Sequence, residues 1–312
     1  MIEVNGLSLT YVTEKGLKRT YNKALDEVTF TLPEGCVYGL LGTNGAGKST
    51  LMRTMCGVYR PDGGSVRIDG REVWDNAAAK ADICFINDET SWQSKFTLSE
   101  LARYYRCYYD TFSEEKLRKM ADALSLPTDC KLSEMSKGMK RQAVTIVGMA
   151  CRTKYLMLDE SFDGLDPAMR RVVKNLLTDA ICENGSSVLV SSHNVTEISE
   201  ACDHVLILHK GKLILAGEID EVCGGFRKVQ LTRDGREITK RELEEAGFDV
   251  LNYSAMGNVA QFVVRGNDEA VSAGAAAISA VVAEAVPLTL EEVFVYEMEA
   301  RGYGKNAISE AR

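Results

Sequence analysis

The chain has 312 residues, 45% of them hydrophobic and 26% charged, with a formal net charge of −8. That length suggests two domains, and the apolar share supplies a sizeable core, which excludes wholesale disorder. The acidic balance argues against a protein held to nucleic-acid phosphates, so no nucleic-acid partner is expected.

Residues 2–12 and 26–32 alternate like strands of a hairpin. A short apolar run, Cys36 to Leu41, ends in a glycine-rich turn, and a helical stretch, Thr50 to Val58, stops before the turn Arg60-Pro61-Asp62-Gly63-Gly64. From about Thr97 to Met149 the pattern is helical. Buried-strand runs follow at Tyr155–Leu158 and Ser187–Val190, and between them Asp166-Pro167 sets an N-cap and an N1 proline before a helix that ends at Gly185. Strands alternating with helices imply a mainly parallel sheet. Beyond the Lys210-Gly211 turn and the Gly224-Gly225 hinge, the pattern reads strand 227–232, helix 239–246, strands 249–255 and 258–264, helix 267–276, strand 280–286, then a helix from Thr289 to about Ala300. Its first six elements spell βαββαβ, the ferredoxin-like order.

The nine cysteines are odd in number and include no C-x-x-C pair. Most lie in apolar runs and are expected to be small buried hydrophobes rather than a disulfide or zinc framework. The opening MIEVNGLSLTYV lacks a signal-peptide pattern, and no apolar run reaches the length of about 18 residues that a spanning helix needs. A cytoplasmic location follows as an expectation, with any membrane role supplied by a partner.

Gly42-Thr43-Asn44-Gly45-Ala46-Gly47-Lys48-Ser49 fits G-x-x-x-x-G-K-[ST] with strand before and helix after. Glycines let successive backbone N–H groups curl around a phosphate, and the helix start adds its positive dipole end. Lys48 suits the β- and γ-phosphates, and the Ser49 hydroxyl suits Mg²⁺. Leu156-Met157-Leu158-Asp159-Glu160 delivers two carboxylates at the end of a buried strand, where α/β sheets place ligands. Asp159 is a candidate for Mg²⁺, and Glu160 for polarising an attacking water.

With these motifs the sequence resembles the ATP-binding cassette family, the nucleotide-binding subunits of ABC transporters, over about residues 2–220. Ser136-Lys137-Gly138-Met139-Lys140 is similar to the family signature, Asp163-Gly164-Leu165-Asp166 to its D-loop, and Ser191-Ser192-His193 to its switch-histidine segment. The resemblance implies a P-loop NTPase α/β cassette at 1–220, with a mixed sheet core and an inserted helical subdomain at about 89–150. A small C-terminal α+β domain, ferredoxin-like in order, occupies 226–312. It implies ATP and Mg²⁺ as ligands, the P-loop through Thr50 around the phosphates, and Ser136 and Gly138 facing ATP held by a second ATP-binding subunit. His193 would contact the γ-phosphate. Tyr11 resembles the aromatic that stacks on adenine, with Tyr21 its competitor. Two departures stand out: Asp88 occupies the position of the family's metal-binding Gln, with Gln93 nearby, and in the signature Lys137 replaces Gly and Met139 replaces the usual Gln or Glu.

The stretch Pro287-Leu288-Thr289-Leu290-Glu291-Glu292-Val293-Phe294, continuing to Met298, resembles the tail of cassettes serving ABC-2-type exporters. That implies a separate transmembrane permease as partner and a place at the inner face of the membrane. The alternative is a cassette driving a soluble process such as translation, repair or iron–sulfur assembly. In the helical segment, Leu101, Tyr105, Tyr108 and Phe112 share one face and are expected in the core, while Tyr104 and Tyr109 lie off that stripe. Some of these aromatics, with Trp92, are candidates for a groove that receives the permease.

Overall fold

The alternation near the start of the chain builds a long hairpin, in which β1 (Ile2–Lys15) pairs antiparallel with β2 (Lys18–Leu32). The computed structural model describes residues 1–15, 18–87, 95–162 and 165–303. They fall into two units, Met1–Ala216 and Gly217–Arg312. Asp88, Glu89, Trp92, Gln93, Asp163 and Gly164 lie outside the described residues. Strand β2 starts well before residue 26, the expected position. Its polar beginning pairs Arg19 with Glu14 and Asn22 with Tyr11, and the Arg19–Glu14 ion pair closes at 2.7 Å. A solvated antiparallel ladder needs no apolar face, so alternation alone underestimates its length.

Past Leu32 the chain enters a second sheet through β3 (Val37–Leu41), buried at every residue, as expected for a parallel strand covered on both faces. Helix α1 (Lys48–Met55) follows. Strands β4 (Gly63–Ile68) and β5 (Arg71–Glu72) return to the first sheet, whose order is β2-β1-β4-β5. After α2 (Ala77–Lys80), the second sheet gains β6 (Ile83–Ile86), β7 (Tyr155–Asp159), β8 (Ser187–Ser192), β9 (His204–His209) and β10 (Lys212–Glu218), in the order β10-β9-β3-β8-β7-β6. Strands β9, β3, β8, β7 and β6 run parallel. One apolar cluster joins the two sheets: Val4, Leu25 and Phe30 from the first, Leu51, Met52 and Met55 from α1, and Leu40, Met157, Leu189 and Leu206 from the second. Each such side chain, fully buried, is worth about 1.5–3 kcal/mol.

Between β6 and β7 the chain forms α3 (Leu98–Arg106), α4 (Glu114–Ala123) and α5 (Lys137–Ala150). Thr97 and Glu100 close a capping box at the start of α3, satisfying two orphan N–H groups. The aromatic stripe expected across this region breaks. Leu101 and Tyr105 are buried, but α3 ends at Arg106, which carries Tyr108 off the helix to 68% exposure and leaves Phe112 half-buried. Helices α6 (Pro167–Asn184) and α7 (Val195–Ala201) complete the unit, and α7 packs on β3 and β8. All nine cysteines are free. Cys56, Cys84, Cys151 and Cys202 are buried, whereas Cys107 and Cys182 are exposed, so the expectation of buried cysteines holds for only part of the set.

The second unit opens with α8 (Ile219–Gly224) and continues β11 (Phe226–Thr232), α9 (Lys240–Glu245), β12 (Asp249–Met256), β13 (Val259–Arg265), α10 (Asp268–Ala277), β14 (Val282–Pro287) and α11 (Leu290–Ala300). The sheet order is β12-β13-β11-β14, antiparallel throughout. Its core gathers Val229, Leu231, Phe262 and Val264 from the strands with Leu243, Phe248 and Val271 from the helical side. Glu297 on α11 is fully buried and accepts from Arg265 Nε at 2.6 Å, with Arg301 on its other oxygen. That pairing offsets the cost of a buried carboxylate.

Candidate functional site

Strand order decides which motifs meet. Strand β8 lies between β3 and β7, and all three run parallel, so the turns after them open at one edge of the sheet. The register aligns their ends: Leu41 sits opposite Ser192, and Asp159 opposite Ser191. The P-loop follows β3, Glu160 follows β7 and His193 follows β8. Residues far apart in sequence thus become neighbours.

The P-loop turns on glycine geometry. Gly47, the N-cap of α1, has φ 107°, and a Cβ there would lie 2.6 Å from the Ala24 carbonyl oxygen. A Cβ on Gly42 would meet the Leu208 carbonyl oxygen at 2.5 Å. Only glycine lets the loop pass so close to its neighbours. Lys48 is 7% exposed. Its Nζ donates to the Gly42 carbonyl at 2.8 Å and stands 3.2 Å from Glu160 Oε1.

Asp159 is fully buried, with Ser191 Oγ donating to its Oδ1. The next residue, Glu160, has φ 49°, a left-handed backbone carried by a non-glycine residue. Its N–H donates to Ser191 Oγ at 3.0 Å, so one serine fixes both carboxylate-bearing residues. Glu160 Oε2 lies 2.8 Å from His193 Nδ1. A ring engaged at Nδ1 has Nε2 left for a further partner. Lys48, Glu160 and His193 form one connected chain of polar contacts.

These groups line a cavity of about 770 Å³, with every residue from Thr43 to Thr50 on its wall. Tyr11 lines it too, at 37% exposure, with its hydroxyl 3.1 Å from Thr50 Oγ1 and its ring edge-on to Tyr59. Burial pushes the Tyr11 phenol above its ordinary range, partly offset by the Thr50 hydroxyl. Tyr21, 66% exposed, does not reach the cavity. Asn22, Lys23, Arg141, Lys210 and Gly211 are also on the wall, and sequence reasoning missed them as site residues. The only available signal was the Lys210-Gly211 turn, which anchors the loop through Gly211 N–H to the Ala46 carbonyl at 2.9 Å.

Ser136, Gly138 and Asp166 stand apart from the cavity. Ser136 caps α5, accepting from Met139 N–H at 3.2 Å, and Asp166 caps α6, accepting from Met169 N–H at 2.9 Å. Among the described residues, no group of three or more His, Cys, Asp or Glu could hold a metal ion by itself. Ser49 and Asp159 nonetheless offer the oxygen donors that suit Mg²⁺, a cation usually shared between one or two carboxylates and substrate phosphates. Also among the described residues, no helix is long and apolar enough to cross a membrane.

The family model for ABC transporters matches residues 25–163. The chain is 27% identical over 274 residues to the ABC transporter ATP-binding protein YtrB of Bacillus subtilis, covering 88% of this chain and 92% of that protein. It is 30% identical over 215 residues to the uncharacterized ABC transporter ATP-binding protein YhaQ of the same organism, covering 67% of this chain and 71% of that protein. Its fold is similar to that of a dimeric ATP-binding cassette solved in a post-hydrolysis state with ADP and Pi, at TM-score 0.60 and 21% identity, covering 70% of this chain and 98% of that one. Sharing so much sequence with YhaQ and YtrB over most of their lengths, the chain belongs to the ABC transporter family as an ATP-binding protein, and its reaction is the hydrolysis of ATP.

Proposed function

We propose that two copies of the chain close head to tail around two Mg-ATP and that this cycle powers a separately encoded membrane exporter. The observation that carries the reading is that the P-loop, Glu160, His193 and Tyr11 line the cavity, whereas Ser136 and Gly138 at the start of α5 do not. The start of α5 carries the helix's positive dipole end, which favours an anion. A γ-phosphate held by another copy supplies one.

In this reading the P-loop amides and Lys48 bind the β- and γ-phosphates. Ser49 and Asp159 would hold Mg²⁺, which neutralises phosphate charge when bound; Asp88, the third candidate ligand, lies outside the described residues. Glu160 accepts the proton of a water whose oxygen attacks the γ-phosphorus. The bond to the bridging oxygen breaks, and ADP leaves. His193 orients the γ-phosphate from beside Glu160. With ATP, Glu160→Gln is expected to elute from gel filtration with dimer mass by light scattering, and adding Ser136→Arg returns the monomer. A Glu160→Gln protein that stays monomeric in saturating ATP sinks the proposal.

Tyr11 is the adenine platform. Stacking of a base on an aromatic ring is worth about 1–3 kcal/mol, so Tyr11→Ala should raise the Kd for ATP roughly 5- to 150-fold, while Tyr21→Ala leaves it unchanged. Equal effects from the two variants would remove Tyr11 from the site.

The exporter assignment rests on the tail resemblance through α11 and on an aromatic patch. The rings of Tyr104 and Tyr108 lie 5.1 Å apart, tilted at 53°, with Phe96 6.0 Å from Tyr104, and both tyrosines are exposed. A solvent-facing aromatic group of this kind suits a partner's helix, and the permease would hold the chain at the inner face of the membrane. The Tyr104→Ala/Tyr108→Ala double variant is expected to hydrolyse ATP normally in isolation yet lose coupled transport with its permease. Unimpaired transport would place the docking groove elsewhere.

A further inference from the structure

Glu197 lies in the first turn of α7, and only 7% of it is exposed. Its two carboxylate oxygens grip opposite sides of the turn that carries His193. Oε2 accepts from Ser192 Oγ at 2.6 Å, and Oε1 lies 3.4 Å from Asn194 Nδ2. Ser192 Oγ accepts in turn from the Asn194 N–H at 3.0 Å. The peptide of His193 is therefore bracketed by one hydroxyl and one carboxylate. The charge is balanced from α6, where Arg170 stands 3.7 Å from Oε1. Arg170 is one helical turn past Asp166, its N–H donating to the Asp166 carbonyl at 2.9 Å. Arg170 and Glu197 share a cavity of about 420 Å³ between α6 and α7.

An apolar side chain would pack α7 against α6 without the desolvation cost of a buried carboxylate, and replacing buried ion pairs by apolar groups is often neutral or stabilising. Helix packing alone therefore gives no reason for a charge here. His193 does: its ring is half exposed, and its visible side-chain tie is to Glu160, so the ring's aim depends on the turn beneath it. We infer that Glu197 is a positioning residue for ATP hydrolysis, which holds the Ser192–Asn194 turn so that His193 meets the γ-phosphate, and which ties that turn through Arg170 to the start of α6. The inference deepens the reading of His193 given above and rests on it.

The test is a double-mutant cycle on the purified full chain, with kcat, KM for ATP and Tm measured for wild type, Glu197→Ala, His193→Ala and the double variant. Displacing a catalytic group by about 1 Å costs up to ~10²-fold. Glu197→Ala should accordingly lower kcat by about tenfold or more, with KM changed by less than about threefold. In the His193→Ala background the same substitution should change kcat no further, because the group it positions is gone. Glu197→Gln, whose amide oxygen still accepts the Ser192 hydroxyl, should restore most of the turnover. If Glu197→Ala does not fold, Ser192→Ala, which removes the bracketing hydroxyl, takes its place in the cycle with the same expectation. Losses that multiply across the two backgrounds overturn the inference, as does wild-type kcat in Glu197→Ala beside a slow His193→Ala. Wild-type kcat in His193→Ala overturns the role of His193 and this inference with it.

Discussion

Glu160→Gln is expected to hydrolyse ATP about 10²- to 10⁴-fold more slowly than wild type while binding it at least as tightly. A positioned general base contributes about that much. The substitution keeps the side-chain length and a hydrogen-bonding group beside Lys48 and His193, and removes the negative charge and the capacity to take a proton. The backbone N–H to Ser191 Oγ persists because it is independent of the side chain. Single-turnover hydrolysis with excess enzyme separates the chemical step from product release. Residual turnover within tenfold of wild type would mean that another group accepts the proton.

Lys48→Ala should weaken ATP binding by about 30- to 4000-fold, since truncating one partner of a buried charge pair costs about 2–5 kcal/mol. Two losses combine. The phosphates lose their nearest fixed cation, and Glu160 Oε1 loses the ammonium at 3.2 Å, so an uncompensated carboxylate faces the incoming anion. Lys48→Arg should fail to rescue, because a planar guanidinium is not a flexible point charge and the Nζ is already placed against the Gly42 carbonyl. Titration calorimetry with ATP and Mg²⁺ reads both variants. An affinity within threefold of wild type for Lys48→Ala would remove the lysine from the phosphate site.

Lys48, Glu160 and His193 are legible in the sequence because each lies just past a short buried strand, and parallel strands in one sheet must end together. The βαββαβ order of the second unit is legible for a similar reason. Its strands and helices are short, clearly capped and differently periodic, and the observed bounds lie within two residues of the expected ones. What the sequence hides is tertiary. Nothing in Thr20-Tyr21-Asn22-Lys23 marks a strand, because its partner is a solvated hairpin arm rather than a core. Tyr108 continues the helical spacing of Leu101 and Tyr105, yet α3 ends at Arg106 and sends it outward. Lys210, Arg141 and Asn22 reach the cavity only through strand order and loop paths. Glu197 reads as an ordinary first-turn acid of a helix, and only its contacts with Ser192 and Arg170 single it out.

The left-handed backbone at Glu160 has a consequence for how this protein can change over time. A non-glycine residue held there costs about 1–2 kcal/mol, and the cost falls on the residue proposed as the general base. Thermal robustness and catalytic speed therefore pull in opposite directions at one position. A sturdier molecule can find its gains elsewhere, where relief of strain or better packing leaves this strand end untouched.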